Sequence, residues 1–320
     1  MAKANRFPPY ELLEGRGARD AHEKTKRLER LYHLTQKHSW DGKTVLAELL
    51  ERHGAPGAGM PPDTRAALSR VLTLLMWGEL AAWNISADLA LEIPDVDAKM
   101  AATGQVFDEA RHFYVLCDYV TALGPAPAIG GLPRRLLSKV LDAPTLATKL
   151  IGMQLLFETN AVVMFRRIAE SGVCPILSEL LPYFERDESR HVGLGVMYLP
   201  KLIQSMSSSE AARTARFQME CVLLLTAGGV TIAPDFETLG LDQRIMALRV
   251  TRMQDDIVQQ MAEHHGRGIL RAVRTPKAGW GPAILDWLHP AGGISATSAF
   301  NQRLHRGMRT TLNALDRALA

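Results

Sequence analysis

The 320-residue chain has little of what would place it in a specialised class. Its three cysteines, Cys117, Cys174 and Cys221, stand far apart and outside any C-x-x-C pair, which argues against a disulfide framework and against a thiolate zinc site. They read as small buried apolar residues. An excess of one charge is missing too. Lys and Arg number 37 against 34 Asp and Glu, a formal net charge of +3 spread along the chain, so nucleic acid is not an implied partner. The most apolar stretch, Val222 to Pro234, is interrupted by Gly228 and Gly229 and falls short of the ~20 residues of a membrane span, so no span is expected. The opening Met-Ala-Lys-Ala-Asn-Arg-Phe-Pro-Pro has no apolar core of the secretory-signal kind, and the cytoplasm is the expected location. With 47% apolar and 22% charged residues, neither wholesale disorder nor a collagen-like repeat fits.

Alternating β-branched runs are scarce, and helical spacing dominates, so the fold class is all-α. The pattern predicts helices near 20–35 and 43–52, then a Gly/Pro cluster at 54–62. Long helices are expected from about Asp63 to Glu92, where Ile-Pro-Asp stops the first, and from about Asp95 to Leu123, where Gly124-Pro125 stops the second. A short helix near 134–141 precedes a long one from 142 to 170, ended by Ser171-Gly172. Another runs from Pro175 to Met197 and closes at Pro200. Further helices fill 201–320, divided by loops near 228–241, 266–281 and 290–295. Residues 1–62 thus read as an N-terminal helical extension, 63–200 as a bundle, and 201–320 as C-terminal helices packed on it.

Two pentapeptides carry the chemistry: Asp108-Glu109-Ala110-Arg111-His112 and Asp187-Glu188-Ser189-Arg190-His191, one D-E-x-R-H pattern used twice. Glu79 lies thirty residues before Glu109, and Glu158 thirty before Glu188. About 12 residues up one helix at ~1.5 Å each, a short turn, and about 12 down the next return the chain to the same height, so each early Glu faces a later one. Within E-x-x-H the carboxylate and imidazole sit one turn apart on one face. Four helices thus aim four carboxylates and two imidazoles inward from apolar runs such as Leu74-Leu75-Met76-Trp77-Gly78-Glu79. Burying them without counter-charge is prohibitive, so either they protonate or cations sit among them, and two divalent cations resolve it. Hard oxygens with one imidazole per metal suit iron or manganese better than structural zinc. Asp108 with Arg111, and Asp187 with Arg190, fall on nearly the same inward side, where each carboxylate supplies an acceptor for a histidine's other N–H. Whether each Asp serves its own helix's His or the facing one is open at this level.

The pattern resembles the ferritin-like di-iron carboxylate superfamily across residues 63–200, with added N- and C-terminal helices. It is most similar to the oxygen-activating branch, which includes bacterial multicomponent monooxygenase hydroxylases, ligand-binding oxidases related to the ribonucleotide reductase small subunit, and arylamine N-oxygenases. The resemblance implies that Glu79, Glu109, His112, Glu158, Glu188 and His191 are the metal ligands and the catalytic set. It also implies two Fe ions, or a Mn/Fe pair, with O2 as co-substrate, and a carboxylate from Glu158 or Glu188 that shifts its binding during the reaction. The first ligand here is Glu79 rather than Asp, and Leu116 stands where a radical-generating subunit carries Tyr, which demotes radical generation. Tyr119, two turns beyond His112, reads as a packed tyrosine with a hydrogen-bonded tip. Phe184 stands where an N-oxygenase's additional histidine would lie.

The expectation is therefore an O2-dependent oxidoreductase acting on a small organic substrate by hydroxylation, N-oxygenation or desaturation. Alternatives are a ferroxidase or peroxide-detoxifying protein, or a ligand-holding Mn/Fe protein. No flavin or iron–sulfur motif is visible, so a ferredoxin or reductase is the expected electron donor. A homodimer is compatible with this reading. Helical spacing places Leu75, Trp83, Phe113, Leu155, Val162, Phe184 and Val192 as candidate lining of a substrate cavity.

Overall fold

The computed structural model describes residues 19–273 and 281–320. The opening segment read above for a leader lies outside them, as does 274–280 of the expected loop at 266–281. Among the described residues the fold is a helical bundle without strands.

Local chemistry sets the helix ends. Helix α1 (Arg19–Lys37) and helix α2 (Gly42–His53) are joined by a short connection, in which Asp41 caps α2 by accepting from the Thr44 N–H at 2.7 Å. Helix α3 (Pro62–Glu92) starts on a proline, whose missing N–H costs nothing at that position, and stops before Pro94. Asp95 caps helix α4 (Val96–Leu123), accepting from the Ala98 N–H at 3.1 Å. Helix α5 (Gly131–Leu141) leads to helix α6 (Leu146–Leu150), which runs into a wide π-helical segment, Ile151–Phe157, and then helix α7 (Glu158–Ser171). Gly172, at φ +66°, takes the left-handed conformation that ends α7. Helix α8 (Pro175–Gln204), helix α9 (Ser208–Thr238), helix α10 (Gln243–His265), helix α11 (Gly281–Leu288) and helix α12 (Ala299–Leu319) complete the order.

The bundle is built on two antiparallel hairpins, α3 with α4 and α7 with α8. Helix α1 lies against α4 and α8, α10 against α7, and α9 against α3 and α5. Two apolar clusters fill the interior. One gathers Leu68, Leu72, Leu116, Leu177 and Phe184, the other Ile85, Leu89, Leu150, Leu194 and Leu199. Glu79, Glu109, Glu158 and Glu188 fall between them in sequence on the four helices of these hairpins, so a polar layer is sealed at both ends. Each fully buried Leu, Ile or Phe of the two clusters contributes roughly 1.5–3 kcal/mol.

Three boundaries differ from expectation. The helix expected over 142–170 contains the π segment. Helix α8 passes through both Pro182 and Pro200 to Gln204, because neighbouring packing holds the helix where each proline removes a hydrogen bond. Helix α9 runs unbroken through Gly228, Gly229 and Pro234, where a loop from 228 was expected; glycine costs only ~1 kcal/mol inside a helix and does not stop one that is packed. By length and composition alone, helix α9 is consequently long and apolar enough to cross a membrane. Reading the two glycines as a break, and so expecting no such segment, is corrected by this continuity.

Candidate metal centre

All six residues of the doubled pattern converge in the polar layer and are buried. They form two overlapping groups whose ligand atoms lie within 4.8 Å of one another. Glu79, Glu109, His112 and Glu188 make the first; Glu109, Glu158, Glu188 and His191 make the second. The atoms show how the groups share residues. His112 Nδ1 lies 3.3 Å from Glu79 Oε2, 3.8 Å from Glu109 Oε2 and 3.0 Å from Glu188 Oε1. His191 Nδ1 lies 3.0 Å from Glu109 Oε1, 3.6 Å from Glu158 Oε1 and 2.7 Å from Glu188 Oε2. Glu109 and Glu188 therefore offer one oxygen to each group, whereas Glu79 and Glu158 each belong to one.

Behind the imidazoles the acceptors are crossed. His112 Nε2 is 3.3 Å from Asp187 Oδ2, and His191 Nε2 is 3.3 Å from Asp108 Oδ2, so each Asp serves the histidine of the other helix. Arg111 pairs with Asp108 on its own helix and with Asp187 at 2.8 Å. Arg190 pairs with Asp187 at 2.7 Å and with Asp108 at 2.9 Å. Two carboxylates and two guanidiniums thus alternate in a closed, charge-balanced square that locks both rings from behind. The N-terminal segment covers this square. Trp40 donates its indole N–H to Asp187 Oδ2 at 2.7 Å and lies under the Arg111 guanidinium, 4.8 Å from its ring centroid, while Arg190 Nε donates to Thr35 Oγ1 at 3.3 Å.

Burial raises the Glu79 carboxyl well above its ordinary range, and the charge of Glu188 adds to it; burial with the charges of Glu188 and Glu109 does the same to Glu158. Burial would also raise Glu109 and Glu188, but His191 and His112 outweigh it and hold both below the usual carboxylate range. Burial opposes charge on the imidazoles, yet the Glu188 charge and neighbouring carboxylates raise both well above 6.5. Several buried atoms facing the centre also have no hydrogen-bond partner in the protein: Glu79 Oε2, Glu109 Oε2, Glu188 Oε1 and His112 Nδ1. Orphaned oxygen and nitrogen donors, converging and charge-rich, are what a bound cation would satisfy. These clusters could hold a metal ion.

Sequence reasoning missed Thr35 and Trp40, which precede the bundle and belong to no repeat, and also Gln105 and Gln154. The last two had a signal, since each stands four residues before a Glu of the centre and so on its face. Gln105 Nε2 donates to Glu158 Oε1 at 2.7 Å and to Glu109 Oε1 at 3.2 Å; Gln154 Nε2 donates to Gln105 Oε1 at 3.0 Å. Gln154 lies in the π segment, where the Glu158 N–H reaches back five residues to the Met153 carbonyl. The Leu155 carbonyl there takes bonds from Thr159 Oγ1 at 2.6 Å and from Gln254 of α10 at 3.1 Å.

Of the expected cavity lining, Leu155 and Val192 do border a small cavity, with Leu150, Gln154, Leu199 and Met261. Phe184 instead stacks on His112 with ring centroids 4.3 Å apart, and Trp83 lies at the surface beside Phe113. Tyr119 is buried with its hydroxyl 3.0 Å from Cys174 Sγ. All three cysteines are free. Comparison with protein-family models, with curated proteins and with solved structures finds no match to this chain.

Proposed function

We propose that the chain is a ferritin-like dinuclear oxidase or oxygenase that activates O2 to oxidise a small organic substrate. The observation that supports this reading is the sharing of Glu109 and Glu188 between two groups, each completed by one further Glu and one His. Such a donor set, hard and oxygen-rich, suits two iron ions or a Mn/Fe pair. When bound, the metals would supply reducing electrons and open positions for O2.

The protein's own contribution is positional. Glu79 with His112 and Glu158 with His191 hold the two outer sides, Glu109 and Glu188 span the middle, and the Asp–Arg square fixes which face each imidazole presents. Phe184 and the apolar cluster beyond it exclude water from the His112 side, while Gln105 bonds both Glu109 and Glu158 on the other. A separate ferredoxin or reductase would deliver electrons, and a cytoplasmic location follows the reading.

The small size of the cavity beside Gln154 favours a second reading, in which the compound oxidised is iron itself or the oxidant is peroxide. Oxygen uptake by the iron-loaded, reduced chain separates them. Uptake that continues with an external donor and no added iron supports the oxidase; uptake that occurs only with fresh Fe(II) supports the ferroxidase. Equal uptake by wild type and Glu109→Ala contradicts both.

A further inference from the structure

Helix α12 carries its apolar side chains on one side. At about 100° per residue, Phe300, Leu304, Met308, Leu312, Leu315 and Leu319 fall within roughly a third of its circumference and make one continuous stripe. Such a stripe ordinarily faces a core. Here none of the six is buried: Phe300 is 69% exposed, Leu304 and Leu315 are exposed as well, and the other three are half-buried. The residues that hold the helix to the protein are polar. His305 is the one buried residue of α12, Arg309 reaches Glu237 of α9 at 3.7 Å, and Asp316 Oδ1 accepts the Leu132 N–H of α5 at 2.7 Å.

The surroundings extend the stripe rather than cover it. Trp287 of α11 stacks on His305 with ring centroids 4.5 Å apart yet stays more than a third exposed, so an indole stands at one edge. Helix α9, on which α12 packs, has a further exposed apolar pair in Met219 and Leu223. On the other side of the stripe run Arg303, Arg306 and Arg317, all exposed and without a carboxylate partner among the described residues. Asp316 is the single acid of the helix, and its carboxylate is taken by α5.

Shape and charge together name the occupant. Helix α12 presents a convex ridge, which cannot receive a partner's helix as a groove does but can lie in a plane. A second copy of the chain, paired through this helix about a two-fold axis, would bring its arginine row close to an identical one. An apolar ridge with an indole at one edge and guanidiniums on the other side matches the boundary of a bilayer. Acyl chains take the stripe, the interface takes the indole, and anionic headgroups take the cations.

We propose that α12 seats the protein on a bilayer that carries anionic lipid, the helix lying in the interfacial plane without spanning it. The stripe enters the acyl boundary, and Arg303, Arg306 and Arg317 pair with the anionic headgroups. The proposal is independent of the metal reading.

The test mixes the full chain with vesicles of phosphatidylcholine, or of an equimolar mixture with phosphatidylglycerol, and measures the fraction that floats with lipid. Flotation with the mixed vesicles, far less with phosphatidylcholine alone, and a decline as salt rises are expected. The double variant Phe300→Ser, Leu304→Ser should lower affinity roughly tenfold or more, and Arg303→Ser, Arg306→Ser roughly tenfold for the mixed vesicles only. Leu91→Ser, at a still more exposed apolar residue of α3, should float as wild type does, which separates the stripe from general stickiness. Circular dichroism checks that each variant is folded. Equal flotation with both vesicle types, no flotation, or a Phe300/Leu304 variant that floats like wild type would overturn the proposal. So would a dimer, seen by sedimentation, that the same variant dissociates, since that assigns the stripe to a second copy.

Discussion

His112 on α4 and Asp187 on α8 meet at 3.3 Å, and His191 with Asp108 repeats the contact in the opposite sense. Each half of the repeat is thereby finished by the other half. Asp187→Asn keeps the shape but weakens the acceptor behind His112 and unbalances the Arg111–Arg190 square. Metal affinity should fall roughly 10–100-fold with helical content retained. Titration with Co(II), followed by circular dichroism, checks both halves of that statement. Unchanged affinity would show that the contact does not tune the ring.

The sharing of oxygens predicts unequal ligand losses. Glu79→Ala removes a residue of the first group alone and should leave one metal per chain; Glu158→Ala should do the same for the second. Glu109→Ala and Glu188→Ala each strip both groups and should leave none. Metal content after gel filtration distinguishes this pattern from one in which all four variants behave alike.

Loading should release protons. Glu79 and Glu158 are raised by burial and both imidazoles by neighbouring carboxylates, so the metal-free centre holds its protons more tightly than free side chains do. Ligands must be deprotonated to bind, so affinity should rise as pH rises through these elevated values. In the metal-free chain the sign for the histidines is the reverse. Their folded values lie above 6.5, so the stability they contribute is complete below pH ~6.5 and is lost as pH rises through the folded values. Calorimetric titration in two buffers of different ionisation enthalpy measures the release, and a buffer-independent heat would contradict it.

Much of the centre was legible because chemistry repeats while packing does not. Glu-x-x-His, the thirty-residue return and the inward Asp and Arg follow from helix geometry and from two like pentapeptides. The crossing of Asp108 and Asp187 was not legible, since it depends on how α4 and α8 face each other. Trp40 carried no periodic signal, because it sits in a connection. The π turn and the unbroken α9 arise from tertiary packing that overrides local glycine and proline cues.

Trp40→Phe tests the contribution of that connection. It removes the 2.7 Å donor to Asp187 and weakens the surface on which Arg111 lies, at a cost of about 1–3 kcal/mol in unfolding free energy. Denaturant unfolding of the metal-free chain reads the loss, and no change would place Trp40 outside the supporting network.

The central claim is that two metals share Glu109 and Glu188. The most direct measurement is an anaerobic Fe(II) titration of metal-free protein, with iron retained per chain counted and oxygen uptake followed on admission of O2. Saturation at two irons per chain, with uptake that Glu188→Ala abolishes, is the result predicted. No retained iron, or retention that Glu188→Ala leaves intact, would contradict it.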